Sequence, residues 1–189
     1  MKPRLPIWVT ALALVGLLTA CQQPESPILN EEAIAMDLAA LPTLKQTQQQ
    51  MLGLIDDVRQ RISAEVPDAA AWHWNREWAT SGCPGEADEG VMLYFPNLVS
   101  SHNLSTAEWD RVFPLVERLS AAAGLTDVAL PGNAENNHDA RFASADGRQL
   151  LLGAAGATVI SARISCREVR DEPIRVDGEI PMPPDPPVR

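Results

Sequence analysis

Leu5 to Leu18 is an almost unbroken apolar run behind Lys2 and Arg4, and it stops at Leu18-Thr19-Ala20-Cys21. This feature constrains the rest of the chain more than any other. About 14 apolar residues span only ~21 Å as a helix, short of a ~30 Å hydrocarbon core. The run therefore reads as a removable secretory leader, residues 1–20, rather than a permanent span. The small Thr19 and Ala20 let the backbone enter a peptidase cleft, and the Cys21 thiol is a nucleophile that can accept a diacylglyceryl group. The remainder is then expected to fold outside the cytoplasm, where thiols oxidise.

The pattern matches the lipobox of bacterial lipoprotein precursors. Cys21 is accordingly expected to become the lipidated first residue of the mature chain, with palmitate-type acyl chains holding it to the extracytoplasmic side of the cell membrane. A plain secreted form cut near Ala20 is the rival reading. One acyl chain gives only reversible attachment at about 0.8 kcal/mol per buried methylene, so firm anchoring needs more than one.

Of the 189 residues, those left after the leader suffice for one domain with its own core. The formal charge is −10, and since Lys2 and Arg4 both precede Cys21 the remainder is more acidic still. That balance opposes nucleic-acid binding, because nothing would neutralise a phosphate backbone. It also disfavours a polybasic route to the membrane, leaving the lipid as the attachment. With Cys21 acylated, Cys83 and Cys166 remain and are expected to pair; the alternative is two buried thiols. Neither belongs to a CxxC motif, so a redox or zinc role is not implied.

Residues 21–30 are polar with Pro24 and Pro27 and read as a tether. A single α+β domain is expected over 31–170, followed by a proline-dense tail over 171–189. Within the domain, Asn30 caps a short helical stretch. Then Leu44, Met51, Ile55, Val58 and Ile62 recur at helical spacing from Thr43 to about Ala64. Trp72, Trp74, Arg76 and Trp78 alternate with His73, Asn75 and Glu77, the period of one extended strand. Cys83-Pro84-Gly85-Glu86 reads as a turn and Val91 to Phe95 as a strand. Ser105-Thr106-Ala107-Glu108 is a capping box opening a helix with Trp109, Val112, Phe113, Val116 and Leu119 on one face, Pro114 expected to kink it and Gly124 at its end. Thr126 to Leu130 reads as a strand and Pro131 to Asn137 as a polar loop; Asp146-Gly147 marks a hairpin. In a last strand from Val159 to Cys166, alternation places Ile160, Ala162, Ile164 and Cys166 toward the core. The fold expected is α+β, an antiparallel sheet of about four to five strands packed by the long helix and the capped one.

The lipobox, the tryptophan-rich segment leading to Ser81-Gly82-Cys83-Pro84, the capped helix with an early tryptophan (Ser105 to Trp109), Asp146-Gly147 and a last strand ending in Ser165-Cys166 resemble the LppA-type lipoproteins of mycobacteria and related actinobacteria. The resemblance spans the leader and roughly Trp72 to Cys166. It implies a cell-envelope lipoprotein and supplies no catalytic residues to carry over.

The candidate chemistry is sparse. His73, His102 and His138 are far apart and form no metal-binding spacing, so no metal is implied, and no cofactor. His138-Asp139 has the composition of a catalytic pair but sits in what reads as a solvated polar loop. Lys45 is the only lysine after the leader, which excludes P-loop, Ser-Lys and Schiff-base chemistry. Glu86, Asp88 and Glu89 have calcium-loop composition without its spacing. The stripe Trp72, Trp74, Arg76, Trp78 is the most unusual feature: it could stack a sugar ring or an aromatic partner, or fill the core beneath the long helix with Arg76 at its edge. The sequence thus points to a non-enzymatic, lipid-anchored interaction module with an envelope protein, lipid or glycan as partner. A carrier of a hydrophobic or glycan ligand is the alternative, and a hydrolase using His138 and Asp139 a more distant one.

Overall fold

The computed structural model describes residues 37–83 and 90–170. The leader, Cys21, the tether, the short helix after Asn30, the acidic run from Glu86 to Glu89 and the proline-dense tail lie outside the described residues.

After one turn of 3-10 helix at Leu38–Ala40, α1 runs Leu44–Glu65. Its start is fixed by a reciprocal cap: Thr43 Oγ1 accepts from the Gln46 amide, and Gln46 Oε1 accepts from the Thr43 amide. The face expected from spacing is the buried one, Leu44, Met51, Ile55, Val58 and Ile62 together with Leu54. Eight strands and a second helix follow: β1 Trp72–Asn75, β2 Ala79–Gly82, β3 Gly90–Tyr94, β4 Asn97–Ser100, α2 Thr106–Ala122, β5 Asp127–Ala134, β6 Asn137–Ala143, β7 Arg148–Ala155 and β8 Thr158–Glu168. The helix α2 begins at the expected capping box and continues through Pro114.

The strands form one antiparallel sheet in the order β1-β4-β8-β7-β6-β5, with β3 also on β8 and β2 on β3. At eleven residues β8 is long enough to take two partners along one edge, β4 at Thr158 to Ile160 and β3 at Arg163 to Glu168, while β7 runs along the other. This shared edge is why the sheet has eight strands and not the four to five expected. Both helices lie on the same face, α1 over β8 and α2 over β6, in contact with each other. Between the layers sit Trp72, Leu93, Leu98, Phe142, Leu150, Leu152, Ile160, Ala162 and Ile164 with the helical apolar residues.

Three local expectations are corrected. The extended run from Trp72 to Trp78 is broken, because Arg76 adopts φ 74° and turns the chain between β1 and β2. Pro131 and Gly132 belong not to a loop but to β5, a sheet edge where a missing N–H is tolerated, with a bulge between Ala129 and Gly132. Cys166 is half-buried; a bulge opposite Val91 to Leu93 inserts an extra residue into β8 and reverses the alternation, so Arg167 takes the inward position.

Candidate functional site

Cys83 and Cys166 form a disulfide, their Cα atoms 5.6 Å apart, joining the end of β2 to the bulged end of β8. Beside it lies the most enclosed charge cluster in the domain. Arg167, 0% exposed, donates through Nη2 to the Asp146 carboxylate (3.0 Å) and carbonyl (2.7 Å), through Nη1 to the Cys166 carbonyl (2.8 Å), and through Nε to Thr47 on α1 (3.3 Å). Arg148 clasps both oxygens of the same carboxylate at 2.9 and 3.0 Å and donates to the Ala123 carbonyl at the end of α2. Burial pushes the Asp146 carboxyl up, but hydrogen bonds from Ser144 and Arg148 and the charges of Arg148 and Arg167 together hold it below its ordinary value. Sequence reading missed Arg167, whose buried position depends on the bulge. What the cluster does is clamp the β6–β7 turn to both helices and to the disulfide strand.

A second polar network sits at the start of α2. His138 lies in β6, 2% exposed, and not in a solvated loop. Its ring stacks on Trp109 at 4.9 Å, its Nδ1 is 2.8 Å from Asn133 Oδ1, and its Nε2 is 3.0 Å from Thr106 Oγ1. Thr106 Oγ1 accepts from the Asn136 amide, and Asn136 Oδ1 accepts from the Thr106 amide. Asn136 takes φ 54° at the β5–β6 turn, a conformation asparagine tolerates. The order Thr106–His138–Asn133 has the form of a hydroxyl–imidazole–amide relay, but Trp109 covers the ring and the Asn136 amide donates to the hydroxyl oxygen. Asp139, one residue on in the strand, points to the opposite face, so the structure separates the pair that the sequence placed side by side. Nearby, Glu108 accepts from the Ser105 amide and hydroxyl and lies 3.2 Å from His102 Nε2. The Ser105 amide, with the hydroxyl and His102 assisting, holds the Glu108 carboxyl below its usual range against a small opposing effect of burial. No hydroxyl here lies on a free imidazole nitrogen beside an open cleft.

The tryptophan stripe does not gather into a platform. Trp72 is in the core, 4% exposed, donating Nε1 to Ser63 on α1. Trp74 packs partly buried against that core, Trp78 lies against Phe95 at 4.7 Å, and Arg76 is exposed where the chain turns. Two grooves of about 610 and 660 Å³ run between α1 and α2, sharing Asp57 and Leu119 and walled by polar side chains such as Gln49, Gln60 and Arg148. Among the described residues no group of three His, Cys, Asp or Glu could hold a metal ion, and no helix is long and apolar enough to cross a membrane.

Among the described residues no helix lies on the opposite face of the sheet. Register puts His73, Tyr94, Val99, Asp139, Arg141, Gln149, Leu151, Val159 and Arg163 on it, alternating with the core set. Tyr94 and Leu151, each 39% exposed, are two of the three large apolar side chains exposed among the described residues. Burial holds the Arg163 pKa below its ordinary value; Tyr94 opposes this and the neighbouring charge of Arg141 adds to it.

Over residues 22–169 the sequence matches the family model LppA, described as a lipoprotein confined to pathogenic Mycobacterium. The chain belongs to the LppA family. A similar solved structure is LppA from Mycobacterium tuberculosis, 14% identical, with a TM-score of 0.57 over 68% of this chain and 79% of that one. Another is a DUF4853 family protein from Actinomyces odontolyticus, 10% identical, with a TM-score of 0.52 over 79% of this chain and 81% of that one. At these identities the likeness to the LppA and DUF4853 structures establishes a common fold. No curated protein matches the chain.

Proposed function

We propose that this LppA-family lipoprotein is held at the extracytoplasmic side of the cell membrane by acyl chains on Cys21 and works there as a non-catalytic interaction module. The anchor rests on the leader and its closing Leu18-Thr19-Ala20-Cys21, in keeping with membership of a lipoprotein family. The observation that carries the interaction reading is the two-layer build. The described helices α1 and α2 both cover one sheet face, and the other offers Tyr94 and Leu151 with half-buried Val99 and Val159 between charged residues. An antiparallel sheet is stable with one face in water, and such a face is available to a partner. The polar networks support the same reading, since both are occupied in holding turns to helices.

Two measurements test this. Cys21→Ser should abolish both the acyl mass of the processed protein and its sedimentation with membranes; unaltered fractionation would sink the anchor. Photocrosslinkers placed at Leu151 and, for comparison, at Arg61 on α1 should capture a defined envelope partner from the sheet face only. Equal capture from both faces would remove the assignment of the interaction surface.

A further inference from the structure

The sheet face opposite α1 and α2 holds a cation that no described residue pairs. Arg163 is half-buried, yet it donates no hydrogen bond and joins no ion pair among the described residues. Taking a guanidinium partly out of water without an acceptor is unfavourable. Elsewhere in the domain the fold supplies such acceptors: Arg59 is held by Asp56, and Arg167 by Asp146 and Thr47. Directly across from Arg163 on β7 stands Gln149, 1% exposed, whose Nε2 has no partner. Directly across on β3 stands Tyr94, 39% exposed. Gln149, Arg163 and Tyr94 therefore form one cross-strand row in which a carboxamide nitrogen, a guanidinium and a phenol are all able to donate. Arg141 lies one row along on β6, near enough for its charge to act on Arg163.

We propose that this row is the docking site for a carboxylate on an acidic segment of a partner protein, with Arg163 as its anchor. This rests on the interaction reading above and names its partner. A planar carboxylate fits one guanidinium fork with two parallel hydrogen bonds and leaves a lone pair for the exposed Tyr94 hydroxyl. A layer of phosphate headgroups fits less well. Asp127 and Asp139 share this face on either side of Arg141; a broad anionic membrane surface would cover both, whereas a single carboxylate docked at Arg163 lies three strands, roughly 14 Å, from Asp127 along the row. The sheet face is also extended, with Leu151 and Val159 beside the row, and suits a chain lying across strands.

The test uses the full-length chain in detergent and a short synthetic peptide alternating glutamate with valine, its glutamine counterpart serving as control, read by fluorescence anisotropy. The glutamate peptide should bind roughly tenfold or more tightly than the control, and Arg163→Gln should erase that preference. Arg163→Lys keeps the charge without the fork and should restore only part of it. No binding, equal binding of the two peptides, or a preference that survives Arg163→Gln overturns the proposal. So does Arg163-dependent binding to vesicles of anionic phospholipid in the absence of peptide binding, which would assign the row to a membrane surface. Stability provides an arm that needs no ligand. Arg163→Met removes a half-buried charge that no described residue pairs, so the urea midpoint should hold or rise. A fall would make Arg163 a structural residue and overturn its role as anchor. The Cys21→Ser result bears on attachment alone, so the two readings fail separately.

Discussion

Replacing Asp146 by asparagine should unsettle the domain by an amount set by one buried cation. Arg167 is 0% exposed, and Asp146 is the carboxylate that faces it, 3.0 Å from Nη2. The change removes that charge and the two-oxygen clasp of Arg148 while leaving Arg167 the carbonyls of Asp146 and Cys166 and the Thr47 hydroxyl. Breaking a buried pair from one side costs about 3–5 kcal/mol, and the retained acceptors and the part-exposed Asp146 bring the loss below that range, to about 2–3 kcal/mol. For a domain of this size that is a fall of roughly 5–10 °C in the melting midpoint. The loss is also pH-dependent, with a definite sign. A carboxyl whose folded pKa is depressed contributes in full above its unfolded value, about 3.9, and loses the contribution as pH falls through the lower folded value. The gap between native and Asp146→Asn proteins should be constant from about pH 7 to pH 5 and should close below about pH 4. Urea denaturation followed by near-UV circular dichroism across that range measures it. A gap under about 1 kcal/mol at neutral pH, or one that persists unchanged near pH 3, would refute the account of Arg167 as a cation in need of this carboxylate.

Other perturbations have distinct readouts. Replacing Cys83 and Cys166 by alanine opens a loop of sequence separation 83, worth about 4.5 kcal/mol in the chain-entropy picture, and denaturant titration should detect most of it. Gly90→Ala would set a Cβ 2.6 Å from the Cys83 sulfur, which the disulfide prevents from moving away; free-thiol labelling of the purified variant should rise, and no rise would count against that tight approach. His138→Ala leaves Asn133 and Thr106 without the imidazole and Trp109 without its stacking partner, so a loss of about 2–4 kcal/mol is expected. Its signature is faster hydrogen exchange in the β5–β6 hairpin; unchanged exchange would show that the network does not pin the hairpin to α2.

The helices were legible in the sequence because apolar spacing marks the buried face of each, and at α2 a cap marks the start as well. At α1 the spacing of Met51, Ile55, Val58 and Ile62 marks the buried face, and at α2 Ser105 and Glu108 mark the start while Trp109, Val112 and Val116 mark the face. Asp146-Gly147 was legible for a local reason, since Gly147 takes φ 82°. The misses share a cause: each depends on backbone that departs from its element without a residue type that announces it. Arginine gives no warning of φ 74°, so Arg76 read as the middle of a strand. The bulge that turns Arg167 inward depends on pairing with β3, which lies more than seventy positions earlier in the chain. Asn136 was the one recoverable signal, because asparagine in Glu135-Asn136-Asn137 is the residue expected at a left-handed turn position. The open row at Arg163 was invisible for a different reason: pairing with Tyr94 and Gln149 is what makes it a row, and neither is a neighbour in sequence.

The strand that joins the halves of the sheet is also the last of the described strands to be made. Until Thr158 to Glu168 is available, β4 and β3 have no common neighbour and α1 lacks the strand it packs on. A nascent chain can therefore form its two helices and the β5–β6–β7 meander early, but the assembled domain is withheld until the final strand slides between segments already synthesised. Closure over such long separations is slow compared with local structure, so completion of the two-layer domain waits on this one strand.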